Sequence, residues 1–155
     1  RIDVAAVNGA LNGYEIKSDR DSLQRLFGQI NLYGKVLDYA VLVVGERHIV
    51  EAVGIVPEWW GIFKIIPDAK TPSFDVLRPG KKNIDQDPRS LVELIWRDEA
   101  LELLEKRNAI RGFRDKPRPV IWDKVCECYS LEEIAMAVRN CLKARATRKG
   151  LQQPS

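Results

Sequence analysis

Apolar positions in the first half of the chain switch between two periods, and the switches predict alternating strands and helices. "IDVAAVN" and "LNGYEIKS" read as strands, with Asn-Gly pairs at Asn8 and Asn12 that tolerate positive φ in tight turns. "SDRDSLQRLFGQINLYGKVL" places Leu23, Leu26, Phe27, Ile30 and Leu37 at helical spacing behind the candidate caps Ser18, Asp19 and Asp21. One amphipathic helix is therefore expected over 18–37. "YAVLVVGE" is short and continuously apolar, as a strand covered on both faces should be. "RHIVEAVGIV" reads as a helix stopped by Pro57, and "GIFKIIP" as a further strand.

From Thr71 to Pro88 the composition turns to Pro, Gly, Lys and Asp, which predicts a linker or long surface loop. Three helices are expected after it: Ser90 to about Arg107, Pro119 to about Tyr129, and a last one opened by "SLEE", where Ser130 and Glu133 form a capping box. The expected organisation is thus a mixed α/β sheet core with flanking helices over 1–70, a linker over 71–89, and a basic three-helix region over 90–155.

At 155 residues and 45% apolar, the chain can bury one proper core. It contains no run of eighteen apolar residues and no signal-peptide pattern, so no membrane partner is expected. Cys126, Cys128 and Cys141 are odd in number and clustered on helix-like sequence, which predicts reduced thiols and a cytoplasmic setting. Residues 1–80 carry nine basic and ten acidic side chains, whereas 81–155 carry sixteen and twelve. The excess lies in "KRNAIRGFRDKPR", with Arg111, Arg114, Lys116 and Arg118, and in "RNCLKARATRK", with Arg139, Lys143, Arg145, Arg148 and Lys149. Side chains of this kind can spread along a phosphate backbone, which makes DNA the expected partner.

The opening hairpin carries the candidate chemistry. Glu15 and Lys17 share a strand face, and whether Asp3 joins them depends on register. A loop of Asn8-Gly9-Ala10 sets Asp3 opposite Glu15; a five-residue loop sets it opposite Lys17; a two-residue turn sends the carboxylates to opposite faces. Facing carboxylates repel unless something positive lies between them, and Mg²⁺ or Mn²⁺ is one such thing. Asp3 and Glu15, with the backbone carbonyl of Ile16, are the candidate metal ligands. Lys17 would orient a bound water or stabilise charge on phosphorus. The alternative is a solvated hairpin face in which Lys17 screens the acids.

This order of elements resembles the PD-(D/E)XK nuclease superfamily. Its pattern is an Asp on one strand, a hairpin, then Glu-x-Lys and a helix, here Asp3, "NGALNG" and "EIK". The RecB-like branch adds Gln-x-x-x-Tyr on that helix, matched by Gln29 and Tyr33 in "QINLY". The i, i+4 spacing puts both on one helix face. The chain is also similar to small bacterial and phage proteins that join such a core to a basic helical tail. The helix preceding the first strand in the superfamily has no counterpart here. The resemblance covers about residues 1–68. It implies a restriction-endonuclease-like fold and Mg²⁺- or Mn²⁺-dependent DNA hydrolysis, with Asp3, Glu15, Lys17, Gln29 and Tyr33 as catalytic residues. A non-catalytic nucleic-acid-binding or assembly module on the same fold is the alternative, and a homodimer is left open. Ser18, Ser22 and His48 lack any triad context, and "GKK" at Gly80 lacks a phosphate-loop pattern.

Overall fold

The computed structural model describes residues 2–67, 71 and 73–150, the last three by backbone alone. The side chains of Arg148 and Lys149 therefore lie outside the described part. Two compact units meet between Asp85 and Gln86.

The first unit is a five-stranded mixed sheet in the order β1-β2-β3-β4-β5. β1 (Val4–Val7) and β2 (Leu11–Lys17) form an antiparallel hairpin. β2 pairs in parallel with β3 (Tyr39–Val44), β3 in parallel with β4 (Gly61–Ile66), and β4 antiparallel with β5 (Ser73–Arg78). α1 (Leu26–Gly34) crosses from β2 to β3, and a 3₁₀ turn (Glu46–His48) with α2 (Ile49–Ile55) crosses from β3 to β4. Crossovers of this kind are what parallel neighbours require. The mixed α/β architecture with flanking helices is as expected. Ala40 to Val44 are all buried, as their unbroken apolar run predicts.

Three elements depart from the sequence pattern. The helix expected over 18–37 begins only at Leu26, because Ser18 donates through both its backbone N–H and its hydroxyl to Asp21 Oδ2, at 2.8 and 2.6 Å. That local turn competes with helix formation. Phe27, assigned to the apolar stripe, is 60% exposed instead. A strand, β5, occupies Ser73–Arg78 within the stretch whose composition marks a linker. Arg78 holds it in place by donating to the carbonyls of Trp60 and Pro57 at 2.9 and 3.0 Å.

Among its described residues the second unit has four helices where three were expected: α3 (Pro88–Val92), α4 (Arg97–Lys106), α5 (Arg118–Cys128) and α6 (Leu131–Gly150). The first expected helix is broken before Trp96, whose backbone N–H is capped by Glu99 Oε2 at 2.7 Å. Leu91, Val92, Ile95, Leu104, Ile121, Val125, Ile134 and Val138 make its core. The Ser130–Glu133 capping box forms, with Ser130 N–H to Glu133 Oε2 at 2.9 Å and Glu133 N–H to Ser130 Oγ at 3.3 Å.

Candidate functional site

Val7 pairs with Leu11 and Val4 with Tyr14, so the hairpin loop is Asn8-Gly9-Ala10 and continuation of the register sets Asp3 opposite Glu15. Gly9 adopts φ +99°, the left-handed conformation this tight loop needs and L side chains avoid. Glu15 and Lys17 fall on the sheet face that α1 covers, and both are buried, at 2% and 5% exposure.

Burial of a carboxylate is tolerable only with partners, and Glu15 has three. Lys17 Nζ lies 2.7 Å from Glu15 Oε1. Gln29 Nε2 donates to the same oxygen, and the Tyr33 hydroxyl donates to Oε2 at 3.1 Å. Gln29 and Tyr33 reach Glu15 together because they stand one helical turn apart on α1. Burial, followed by the Glu15 charge, pushes the Tyr33 phenol up to about 12, so it stays a donor across the physiological range. Its ring stacks on the buried Trp60, with centroids 6.2 Å apart. Trp60 is thus a core residue.

Asp3 is exposed, and its Oδ2 accepts the Ile16 backbone N–H at 3.0 Å. Asp3, Glu15, Ile16, Lys17 and Gln29 line one open cleft of about 390 Å³ together with Asp21 and Arg25. The structure therefore brings five of the six residues singled out on the hairpin and helix into this cleft, and Tyr33 reaches them from behind through its bond to Glu15. Asp21 and Arg25 were not assigned to the site, although Arg25 precedes Gln29 by four residues, the spacing that signals one helix face. A bond from the Ser18 hydroxyl holds the Asp21 carboxyl below its ordinary range. The cleft carries three carboxylates and two cations, so it is acidic by one charge.

The supports of the site were also not legible in sequence. Asp38 Oδ2 accepts the Leu11 N–H at 2.6 Å and pins the start of β2. Asn83, 3% exposed, donates through Nδ2 to the carbonyls of Gly34 and Leu37 at 2.6 and 2.9 Å, which ties down the end of α1.

The protein groups suit a hard cation only in part. Asp3 and Glu15 are two carboxylates, the number that Mg²⁺ commonly takes from a protein when phosphate and water complete its shell. Among the described residues no group of three or more His, Cys, Asp or Glu side chains could hold a metal ion. Both Glu15 oxygens already accept hydrogen bonds, so a closed protein cage is excluded and only a water-rich, ligand-completed site fits.

In the second unit the seven basic candidates divide. Arg145 forms an ion pair with Glu99, Nε to Oε1 at 3.0 Å and Nη2 to Oε2, and stacks over Trp96 at 4.1 Å. It is a packing residue there. Arg114 pairs with Glu105 at 3.0 Å on the surface. Arg111, Lys116, Arg118 and Lys143 are exposed, and Arg139 is half-buried. The three thiols are free, and among the described residues no helix is long and apolar enough to cross a membrane.

A family model described as "Bacteriophage P4 protein cII" matches residues 1–152. "Protein cII" of Enterobacteria phage P4 is 30% identical over 81 residues, which are 52% of this chain and 31% of that protein. The aligned stretch thus spans about a third of the relative's length. No solved structure matches. The match over nearly the whole chain overturns the PD-(D/E)XK resemblance, and with it the reading of a metal-dependent DNA hydrolase. Five residues can converge on one geometry without carrying a nuclease lineage.

Proposed function

The chain belongs to the bacteriophage P4 protein cII family, and we propose that it binds nucleic acid, using the hairpin–α1 cleft to dock a backbone phosphate through a divalent cation. One observation carries this reading: the cleft sets three carboxylates, Asp3, Glu15 and Asp21, beside only two cationic groups, Lys17 and Arg25. Its net charge of about −1 attracts a divalent cation. Once Mg²⁺ or Mn²⁺ is bound, the local charge becomes positive and phosphate is favoured.

Each residue has a stated part. Asp3, exposed and held by one backbone N–H, offers its second oxygen. Glu15 offers charge more than free lone pairs, since Lys17, Gln29 and Tyr33 fix its orientation. Arg25 stands where its guanidinium can take a phosphate oxygen. Asp3 and Glu15 would hold a bound Mg²⁺, which would supply Lewis-acid attraction for a phosphate oxygen. Because the protein gives few ligands, cation and phosphate bind each other's complex better than the empty cleft. Exposed Arg111, Lys116, Arg118 and Lys143 add salt-dependent affinity for DNA.

The test is DNA binding by fluorescence anisotropy at constant ionic strength, with Mg²⁺ varied. Parent affinity should rise with Mg²⁺, and Asp3→Asn should lose that rise while keeping its far-UV spectrum. Asn can still accept the Ile16 N–H, so the hairpin survives. Affinity independent of Mg²⁺ in the parent, or an unchanged rise in Asp3→Asn, defeats the reading.

A further inference from the structure

Phe27 follows Arg25 by two residues, yet it is 60% exposed on the first turn of α1, while Leu23 and Leu26 beside it are buried. A second open cleft, of about 500 Å³, is lined by Phe27 with Asp21, Ser22, Leu23, Gln24, Arg47, His48 and Glu51. Asp21 lines the cation cleft as well, so the two adjoin. His48 lines this second cleft at only 5% exposure, and its Nε2 is buried with no hydrogen-bond partner among the described residues. A buried imidazole nitrogen without a partner is costly, and the cost is recovered when a ligand supplies the missing bond. Arg47 is exposed and is held by its backbone N–H to Asp19 Oδ1 at 3.0 Å, with Nη1 on the Asp19 carbonyl at 3.4 Å. That leaves further guanidinium donors on the rim.

We infer that this second cleft is a nucleobase pocket for single-stranded nucleic acid. The inference rests on the phosphate-docking reading above and deepens it. An exposed aromatic ring supplies a face for stacking, and every base has a π-face to match. Ser22, Gln24 and His48 supply the short-range donors and acceptors that a base edge meets, and Arg47 a contact for the next phosphate. A base in a duplex is stacked on both sides and cannot reach the Phe27 face, so the occupant is an unpaired base. The shared Asp21 gives the strand a continuous path from phosphate to base.

The experiment compares anisotropy of a single-stranded oligonucleotide, the same strand with one central abasic site, and a duplex, for the parent, Phe27→Ala and Phe27→Trp, with Mg²⁺ present. Phe27→Ala should weaken single-strand binding about 5- to 150-fold, the scale of one lost base–aromatic stack. Phe27→Trp should restore it, with its added emission quenched on binding. Duplex affinity should be the same for all three proteins, and parent and Phe27→Ala should converge on the abasic strand. Equal single-strand affinity in parent and Phe27→Ala, with Mg²⁺-dependent binding retained, overturns the base pocket and leaves the phosphate site standing. Absence of Mg²⁺-dependent binding to every oligonucleotide overturns the phosphate reading itself and the pocket with it.

Discussion

Replacing Lys17 with Met should destabilise the sheet unit by about 3–5 kcal/mol, and the size follows from where the Glu15 carboxylate sits. Glu15 is 2% exposed, and Lys17, 2.7 Å away, is the cation that neutralises it among the described residues. Breaking a buried pair from one side leaves an uncompensated charge, which costs about 3–5 kcal/mol. Gln29 and Tyr33 still donate, so the loss belongs at the lower end. Met keeps most of the lysine stem, and little of the effect comes from lost packing. Glu15→Gln should cost a similar amount by stranding the ammonium. The double variant removes both charges, keeps an amide oxygen for Gln29 and turns an amide N–H to the Tyr33 hydroxyl, which can accept it, so it should fall short of the sum by about 3 kcal/mol or more. Because the chain has two units, the measurement should report the sheet alone: urea-dependent hydrogen exchange at the Leu42, Val43 and Val44 amides of β3 does so. A loss under about 1 kcal/mol in Lys17→Met, or additive single variants, would refute the view that this pair is a structural element of the cleft.

The same Lys17→Met protein should bind Mn²⁺ at least about fivefold more tightly by electron paramagnetic resonance, since a competing unit charge ~4 Å away is removed; unchanged affinity places the cation elsewhere. Asn83→Ala should cost about 2–3 kcal/mol, for one buried and one part-buried hydrogen bond at the end of α1, and should leave the second unit's own unfolding unchanged when followed by exchange. The Asp21 carboxyl is lowered in the folded state by its Ser18 bond, so its contribution is complete above the unfolded value near 3.8 and is lost as pH falls through the lower folded value. Asp21→Ala should remove that part of the acid response in an NMR-monitored pH titration, and an identical profile counts against it. With Arg145 engaged by Glu99, and Arg111, Lys116, Arg118 and Lys143 exposed, log affinity against log salt on duplex DNA should have a slope of about −3.6. A slope near zero removes the basic helices from binding.

Much of the sheet was readable because its signals are local. The run at Ala40–Val44 needed nothing but its own composition to be read as a covered strand, and the Asn-Gly pair at Asn8 narrowed the hairpin to a few registers. The register then set Asp3 opposite Glu15. What failed was non-local or competitive. β5 has Pro, Gly and Lys nearby, and only its pairing with Ile62–Ile66 makes it a strand. Residues 18–25 have helical spacing and good caps, but the Ser18–Asp21 turn satisfies the same groups more locally. Asn83 has no sequence signal at all, since its value lies in carbonyls more than forty residues away.

The candidate site divides along the same line, and the division explains how residues that do meet in space supported a wrong lineage. Gln29 and Tyr33 share a helix face by spacing, and Glu15 and Lys17 share a strand face by alternation, so each pair was visible by itself. Their meeting follows from a strand–helix–strand crossover, which packs α1 on the face that carries Glu15. Any sequence with these residue types in that order converges on the same contacts, because a buried Glu requires donors and the helix above it is where they must come from. Glu15, Lys17, Gln29 and Tyr33 therefore encode a way to hold a carboxylate under a helix. Lineage is written across the whole chain instead, over residues 1–152, where few positions have a geometric reason to recur in an unrelated fold.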